Sequence, residues 1–257
     1  MKTILYELKV ALCSKRFLFT VGGMLVLSLC SLINEMKSIP NASVYYFYMV
    51  YFYYPMWMVA FVFASIPGAI SFCIDWNTRV YRMKLIRCGK RNYIFSKIII
   101  TWVTAFLAVA FSQMIMLVLL ACGSPVFSNG DGNALHGGIY QAYLSTNGIW
   151  LYFISKVFFQ SVGVAFFAIF ALWISAKITD ALVVVTAPII GYYLIDNISI
   201  WLGLPDYLSV SRLIKGKIEI VGGIGYTWLY VGGIFGILAF LFSWSFFKNC
   251  KRRIENG

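Results

Sequence analysis

The sequence predicts an all-α polytopic membrane protein with about six transmembrane helices, organised as a single transmembrane domain over residues 1–257. Of the residues, 61% are hydrophobic and only 12% are charged, whereas soluble domains carry about 25% charged residues. Six uncharged stretches each approach the roughly 20 apolar residues that a helix needs to cross a bilayer core of about 30 Å. A soluble chain of this length could not cover six such helices.

The predicted spans, numbered one to six in chain order, cover residues 17–33, 52–74, 98–121, 157–175, 181–195 and 226–247. The basic residues then set the orientation, because short loops rich in Lys and Arg stay in the cytoplasm. Sixteen of the 21 Lys and Arg residues lie before span one, between spans two and three, between spans four and five, or after span six. We therefore expect both termini on the cytoplasmic side, with residues 248–257 as a cytoplasmic tail.

Residues 1–16 mix apolar and charged side chains at roughly helical spacing, as in Leu5 and Leu8 beside Lys2 and Lys9. This pattern favours an amphipathic helix that lies in the inner membrane interface. The alternative is a helix that continues unbroken into span one. In both cases the segment is expected to be cytoplasmic.

Residues 38–74 carry no charge, and as one helix they would measure about 55 Å, which is too long for a single span. The first part of this stretch is rich in rings: Tyr45, Tyr46, Phe47, Tyr48, Tyr51, Phe52, Tyr53, Tyr54 and Trp57. Rings with polar tips suit the headgroup level, which favours an aromatic belt. The alternative is that some of them line an exit path for an amphipathic cargo. Further along, Pro67 and Gly68 predict a kink in span two.

Several residues are candidates for lining a path or packing helices. The candidates for path lining are Tyr53, Trp57, Phe61, Gln113 and Gln160. The two glutamines have an alternative role as hydrogen-bonding groups between helices. In span six, Gly232 and Gly236 form a small-xxx-small pair, which lets another helix approach closely. That helix belongs either to the same chain or to a second subunit.

Two further segments are predicted on the outer side. Residues 122–150 form a loop rich in Gly, Ser and Asn, and its single histidine, His136, is expected to be solvated. Residues 196–219 mix apolar side chains with proline and charged residues, which predicts a re-entrant or interfacial hairpin before the last span. Irregular backbone at membrane depth requires protein or water to satisfy its polar groups.

The sequence contains no phosphate-binding loop, HExxH zinc motif or GxSxG elbow, so no hydrolytic or phosphoryl-transfer centre can be assembled from known motifs. We expect no catalytic residue, metal site or cofactor in this chain. The six cysteines show neither a disulfide framework nor metal-ligand spacing. The net charge of +12 is distributed as membrane insertion requires, which indicates contact with anionic membrane lipids and no nucleic-acid partner. The predicted spans hold almost no ionisable groups, which disfavours an ion-coupled carrier.

The inner loop between spans two and three, residues 75–97, is strongly basic. Val80, Met83 and Ile86 recur in it at helical spacing, and Gly89 can end a short helix before Asn92 starts the next one. The loop therefore predicts a short cytoplasmic helix between two spans. The plainer alternative is that its charges only enforce the topology.

In this order of features the chain resembles the permease subunits of type-2 ATP-binding-cassette (ABC) exporters. In that family an acidic residue at the inner end of span two precedes a short coupling helix, a basic turn and a lysine that opens span three. The residues similar in order are Asp75, the basic stretch 79–87, Lys90, Arg91 and Lys97. The sequence departs from the family where Asp75 replaces the commoner glutamate, and where Cys88 and Gly89 stand at a frequent proline.

The resemblance implies that separate ATPase subunits dock beneath this chain and bind the ATP and magnesium. It also implies a second permease subunit, identical or related. The residues it assigns to ATPase coupling are Asp75, Arg79, Arg82, Lys84, Arg87, Lys90 and Arg91. The expected function is export of an amphipathic or hydrophobic cargo, such as a peptide, lipid or drug, across the cytoplasmic membrane of a bacterium. The alternatives are a secondary carrier or channel not driven by ATP, and a membrane enzyme or assembly factor.

Overall fold

The computed structural model describes residues 2–39, 42–126, 148–217 and 224–256, and within these ranges all regular structure is helical. By length and composition, six helices can cross a bilayer: Lys15–Ser38, Pro55–Asn77, Lys90–Gly123, Ile149–Ser175, Ala181–Trp201 and Gly225–Glu255. These are spans one to six. The all-α class and the predicted number of spans are confirmed, and the chain is a polytopic membrane protein.

Spans four and five are longer than the sequence predicted. Span four begins eight residues earlier and span five ends six residues later. The predicted ends lay at Lys156 and Asp196, because a charged side chain is costly within an apolar run. In the fold Lys156 is buried, and its ammonium donates to the carbonyls of Lys215 and Gly216, each at 2.8 Å. Partners distant in sequence therefore allow span four to continue through a charged residue.

Four short α-helices of the described ranges lie outside the spans. They are the N-terminal helix Lys2–Leu12, the aromatic helix Val44–Tyr53, the inner-loop helix Val80–Cys88 and the return helix Val210–Ile214. The N-terminal helix is separated from span one at Ser14, whose hydroxyl accepts a hydrogen bond from the Phe17 N–H at 3.2 Å and caps the span. The alternative of one unbroken helix is therefore wrong.

Span two departs from regular α-helix geometry. It starts with a 3₁₀ turn at Pro55–Met58, and its middle is a π-helical turn at Ile66–Ile70. Pro67 has no N–H to donate, and this interrupts the regular α-helical hydrogen bonding. The irregular turn therefore lies at the predicted kink position. At Gly68, span three comes so close that an added Cβ would lie 2.3 Å from the Thr101 hydroxyl oxygen. A larger residue at this position would force the two spans apart.

The aromatic helix is packed inside the bundle. Five of its rings are at most 5% exposed: Tyr45, Phe47, Tyr48, Tyr51 and Phe52. Its first N–H groups, from Val44 and Tyr45, donate to the carbonyls of Pro125 and Val126 at 2.9 and 3.3 Å. The aromatic-belt interpretation is wrong for these five rings, because side chains covered by protein cannot meet lipid headgroups. The other two rings of this helix are not buried: Tyr46 is partly exposed and Tyr53 is 77% exposed.

The bundle has two chemically different ends. The basic end brings together the inner-loop helix, the segment after span four and the last turns of span six. There the Asn77 amide donates to the Thr179 carbonyl at 3.2 Å, and the Arg253 guanidinium donates to the Ala176 carbonyl at 2.9 Å. The aromatic end holds the aromatic helix and the return helix. Span four connects the ends as the core, since 78% of its apolar window is buried, against 28% in spans one and five and 22% in span six.

The predicted hairpin 196–219 is described as far as residue 217. Span five ends, a turn follows at Gly203 with a φ of 59°, and the return helix packs on span four. Gly163 of span four makes room for it, since an added Cβ would lie 2.5 Å from Ile214 Cγ1. Most of the predicted loop 122–150, including His136, lies outside the described residues.

Candidate functional site

At the basic end, Asp75 is the centre of a buried ionic cluster. The Lys84 ammonium donates to its two carboxylate oxygens at 2.9 and 2.7 Å, and the Lys97 ammonium lies 2.6 Å from Oδ2. The Tyr93 hydroxyl donates to the same oxygen at 3.5 Å, and Lys97 also donates to the Ser71 hydroxyl at 3.0 Å. Asp75 is 8% and Lys97 is 7% exposed. The carboxylate is therefore paired at a place that water barely reaches.

This ionic cluster joins three consecutive elements of the chain. Asp75 lies on the last turns of span two, Lys84 on the inner-loop helix and Lys97 near the start of span three. Removing one partner of a buried ion pair typically costs about 3–5 kcal/mol, because the other charge is left without compensation. The cluster therefore fixes the inner-loop helix relative to both neighbouring spans.

Two residues with positive φ bracket the inner-loop helix. Arg79 precedes it with a φ of 57°, and Gly89 ends it with a φ of 76°. The positive φ of Gly89 confirms the predicted helix end there. For a residue with a Cβ, such as Arg79, positive φ is unfavourable by about 1–2 kcal/mol. Packing holds the corner: the Trp76 ring stacks on Tyr81 at 4.3 Å with an interplanar angle of 7°. The Arg253 guanidinium also lies over the Trp76 ring, 4.4 Å from its centroid.

The other face of the inner-loop helix is exposed. Met83 is 64% and Ile86 is 87% exposed, although both side chains are apolar. Arg79, Arg82 and Arg87 are exposed on the same side, since residues three, four, seven and eight positions apart share one helix face. Exposed apolar side chains rimmed by positive charges are typical of a surface that contacts a protein partner or the membrane interface.

The predicted coupling residues therefore form two groups. Asp75 and Lys84 belong to the buried cluster. The exposed group consists of Arg79, Arg82, Arg87, Lys90 and Arg91. Ser71, Tyr93 and Trp76 were not predictable as parts of this site, because nothing in their local sequence pattern shows which charged group they contact. The exposed apolar pair was visible as a helical repeat, but its exposure was not.

Four of the five predicted path residues lie inside the bundle and are at most 1% exposed: Trp57, Phe61, Gln113 and Gln160. Tyr53 lies apart from them on the surface. The two glutamine amides both donate to the Tyr51 hydroxyl, at 3.0 and 3.3 Å. Hydrogen bonding between helices, the alternative role of these glutamines, is thus confirmed. They link spans three and four to the aromatic helix.

Several buried polar atoms without hydrogen-bond partners belong to the residues around the Tyr51 hydroxyl. Within the described residues the unpartnered atoms include Tyr48 OH, Gln113 Oε1, Gln160 Oε1 and Ser161 Oγ. Each such atom costs about 1–3 kcal/mol, so a group of them calls for a functional explanation. Beside Tyr51 lies a cavity of about 10 Å³ bordered by Ser28, roughly the size that admits one water molecule. Burial raises the pKa of Tyr48 well above its ordinary value, so its hydroxyl stays neutral.

The predicted glycine pair of span six faces open space. An added Cβ at Gly232 or Gly236 would meet no atom within 4 Å in the described chain. The alternative that another span of the same chain packs on this pair is therefore wrong, and contact with a second subunit stays a prediction. Within the described ranges, no group of three or more His, Cys, Asp or Glu side chains is placed to hold a metal ion.

Comparison with known protein families, with curated proteins and with solved structures finds no match for this chain. Two places in the molecule therefore carry the evidence for its function. One is the ionic cluster with the exposed face of the inner-loop helix, and the other is the unpartnered polar group in the core.

Proposed function

We propose that this chain is the transmembrane permease subunit of an ATP-driven exporter of the ABC type. The observation that carries the proposal is the two-sided build of the inner-loop helix. One side is fixed to spans two and three through the Asp75 cluster and the Trp76 stack. The other side presents Met83 and Ile86 among arginines. Such a helix suits a separate ATPase that binds outside and transmits force inwards, with ATP and magnesium held by that partner.

The ionic cluster supports force transmission in particular. The Asp75–Lys97 pair of 2.6 Å is buried and resists separation, because Coulomb attraction is strong where the effective dielectric constant is low. The partly exposed Lys84 joins it through contacts of 2.9 and 2.7 Å to the same carboxylate. A displaced inner-loop helix would carry Lys84 with it, and Asp75 and Lys97 would pass the movement to spans two and three. Span two then offers its π-helical turn at Ile66–Ile70 as a place where the helix bends.

The proposal includes an orientation. The basic end faces the cytoplasm of a bacterium, because loops rich in Lys and Arg stay inside, and both termini are cytoplasmic. The N-terminal helix then lies in the inner interface as an amphipathic helix. The return helix re-enters the outer part of the membrane, where contact with span four shields its backbone. A second permease subunit, identical or related, completes the pathway.

The cargo route is proposed to pass the aromatic end. Trp57, Phe61, Gln113 and Gln160 line it when the bundle opens, with Tyr53 at its outer mouth. Support comes from the unpartnered amide oxygens of the two glutamines, which can accept hydrogen bonds from polar groups of a cargo. The surrounding rings favour amphipathic or hydrophobic molecules such as a peptide, lipid or drug. In the described conformation the rings pack against one another and the route is closed.

Co-purification tests the proposal. The tagged full chain is extracted from its own cells in mild detergent, and the eluate is assayed for ATP hydrolysis and for a second protein with a phosphate-binding loop. The wild-type chain should retain such an ATPase. Ile86→Asp should reduce the retained activity roughly tenfold or more, because the interface loses an apolar contact and must bury a charged group, which together cost well over 1.4 kcal/mol.

Leu208→Asp is the matched control. It places the same charge on an apolar residue that is 42% exposed at the aromatic end, and it should keep the ATPase. Arg82→Glu and Arg212→Glu form a second pair of test and control. Arg82→Glu should reduce the retained ATPase activity, and Arg212→Glu, the same change at the aromatic end, should not. The proposal fails if the wild-type chain retains no ATPase. Transport by the purified chain in nucleotide-free vesicles under an ion gradient would instead favour the secondary carrier.

A further inference from the structure

A groove of about 780 Å³ opens between spans three and six on the basic half of the bundle. Trp102 lines the wall formed by span three, and Phe240 and Trp244 line the wall formed by span six. Ile169 of span four forms the floor, and Gly236 borders the end nearer the middle of the bundle. The space exists because small residues of span six stand opposite large ones of span three. Its lining is almost entirely apolar.

The groove carries positive charge at one end only. Arg91 and Lys251 line it at the basic end, and both are exposed. Neither side chain forms an ion pair within the part of the chain that the structure describes. An apolar trough with two cations at one end is complementary to a molecule with an anionic head and an apolar tail. Basic pockets between spans are known to hold anionic lipid headgroups in this way.

The length of the groove matches one leaflet of a bilayer. Its lining extends from residue 91 to 103 on span three and from 236 to 251 on span six, which is about 18 and 22 Å at 1.5 Å per helical residue. Half of a hydrocarbon core measures about 15 Å. A lipid with its phosphate at the two cations would therefore reach the far end of the groove with its acyl chains.

We propose that this groove binds one anionic phospholipid, with the phosphate held by Arg91 and Lys251 and the acyl chains along Trp102 and Trp244. A second copy of the chain fits the same place poorly. In a two-fold interface the same patch faces itself, so the two cations of one copy would face those of the other. A phospholipid brings the opposite charge. The inference stands apart from the proposed function, because its test needs neither an ATPase nor a cargo.

Native mass spectrometry of the full chain tests the proposal. The protein is reconstituted into vesicles of equal phosphatidylglycerol and phosphatidylethanolamine, extracted again in mild detergent, and its bound lipids are counted. The wild-type chain should retain one phosphatidylglycerol. Arg91→Gln with Lys251→Gln should weaken retention roughly 25-fold, because each cation near a lipid surface contributes roughly fivefold. Gly236→Phe should abolish retention by filling the groove with a ring.

Two control variants match these changes. Lys90→Gln with Arg252→Gln removes the same charge from the same ends of spans three and six, at exposed residues that do not line the groove. Gly233→Phe adds the same ring at a position where an added Cβ also meets no atom within 4 Å. Both controls should retain the lipid as the wild-type chain does. Equal retention of phosphatidylethanolamine, or unchanged retention in both groove variants, would overturn the proposal. A dimer that Gly236→Phe dissociates while lipid retention is unchanged would assign the groove to a second copy, and this also overturns it.

Discussion

The two ends of the bundle are stabilised by different forces. At the basic end one carboxylate, Asp75, holds two lysines and thereby three elements of the chain. At the aromatic end stability comes from many ring contacts, such as those of Tyr48 with Phe52 and Phe153 at 5.4 and 5.5 Å, each worth about 0.5–1.5 kcal/mol. A single substitution at Asp75 can therefore break contacts among three elements at once, whereas the aromatic end loses stability in small steps. That difference suits a protein whose basic end moves as one rigid unit while the side-chain packing of its aromatic end rearranges.

The largest effect is expected for Asp75→Ala. It leaves Lys97 buried without its counter-ion and should lower the free energy of unfolding by about 3–5 kcal/mol, measured by denaturant titration in detergent micelles. The control is Asp206→Ala at the aromatic end, whose ion pair with Arg212 has side chains 70% and 48% exposed. Exposed pairs contribute about 0–1 kcal/mol. Similar losses for both variants would contradict the division between the two ends.

Lys156→Met tests a buried charged residue at the aromatic end. The change deprives the carbonyls of Lys215 and Gly216 of their donor. Each buried acceptor that is left without a donor lowers the free energy of unfolding by about 1–3 kcal/mol. Hydrogen exchange should accelerate in residues 210–217, which the ammonium fixes to span four. Lys217→Met, at an exposed lysine over the Tyr53 ring, is the control and should change stability by less than about 1 kcal/mol.

Two substitutions that change backbone strain at the basic end should have smaller effects on stability, and of opposite sign. Gly89→Ala forces a Cβ into a backbone conformation that is essentially restricted to glycine (φ 76°, ψ 152°) and should destabilise the protein by about 1–3 kcal/mol. Arg79→Gly removes the positive-φ penalty at its own position and should leave stability unchanged or raise it by up to about 1 kcal/mol. Thermal unfolding of the two variants beside the wild-type protein measures both. A loss of stability in Arg79→Gly would show that its side chain matters more than its backbone.

The smallest effects are expected for single hydroxyls at the aromatic end. Tyr51→Phe removes the acceptor of two glutamine amides and should cost about 1 kcal/mol. Tyr48→Phe removes a hydroxyl with no partner among the described residues, so it should be neutral or slightly stabilising. The same denaturant titration distinguishes them. If Tyr48→Phe proves the more damaging change, its hydroxyl has a partner in solution, and the core is less open to cargo than we propose.

The number of spans and the contrast between basic and aromatic segments were predictable from the sequence. Both depend on local composition: a helix of roughly 20 apolar residues crosses a bilayer wherever it occurs, and lysines cluster in short loops whatever the packing. The end of the inner-loop helix at Gly89 was predictable for the same reason, because glycine adopts positive φ without steric cost.

Placement inside the bundle was not predictable. A tyrosine-rich segment suits the membrane surface and a protein core equally well, so burial of Tyr48 and Tyr51 depended on contacts far along the chain. Span four was predicted to begin after Lys156, because hydropathy cannot show that two carbonyls about 60 residues later accept hydrogen bonds from its ammonium. Asp75 and Lys97 were recognised as parts of one motif, but only the fold shows that they pair with each other.

The Arg253 contact has a consequence for biosynthesis. The ribosome makes Trp76 long before Arg253, so the tryptophan ring and the Ala176 carbonyl wait for the guanidinium until the last helix is inserted. The corner that carries the inner-loop helix is thus completed by span six, which lies far along the chain from it. The basic end acquires its finished surface only after span six has packed beside spans two and four.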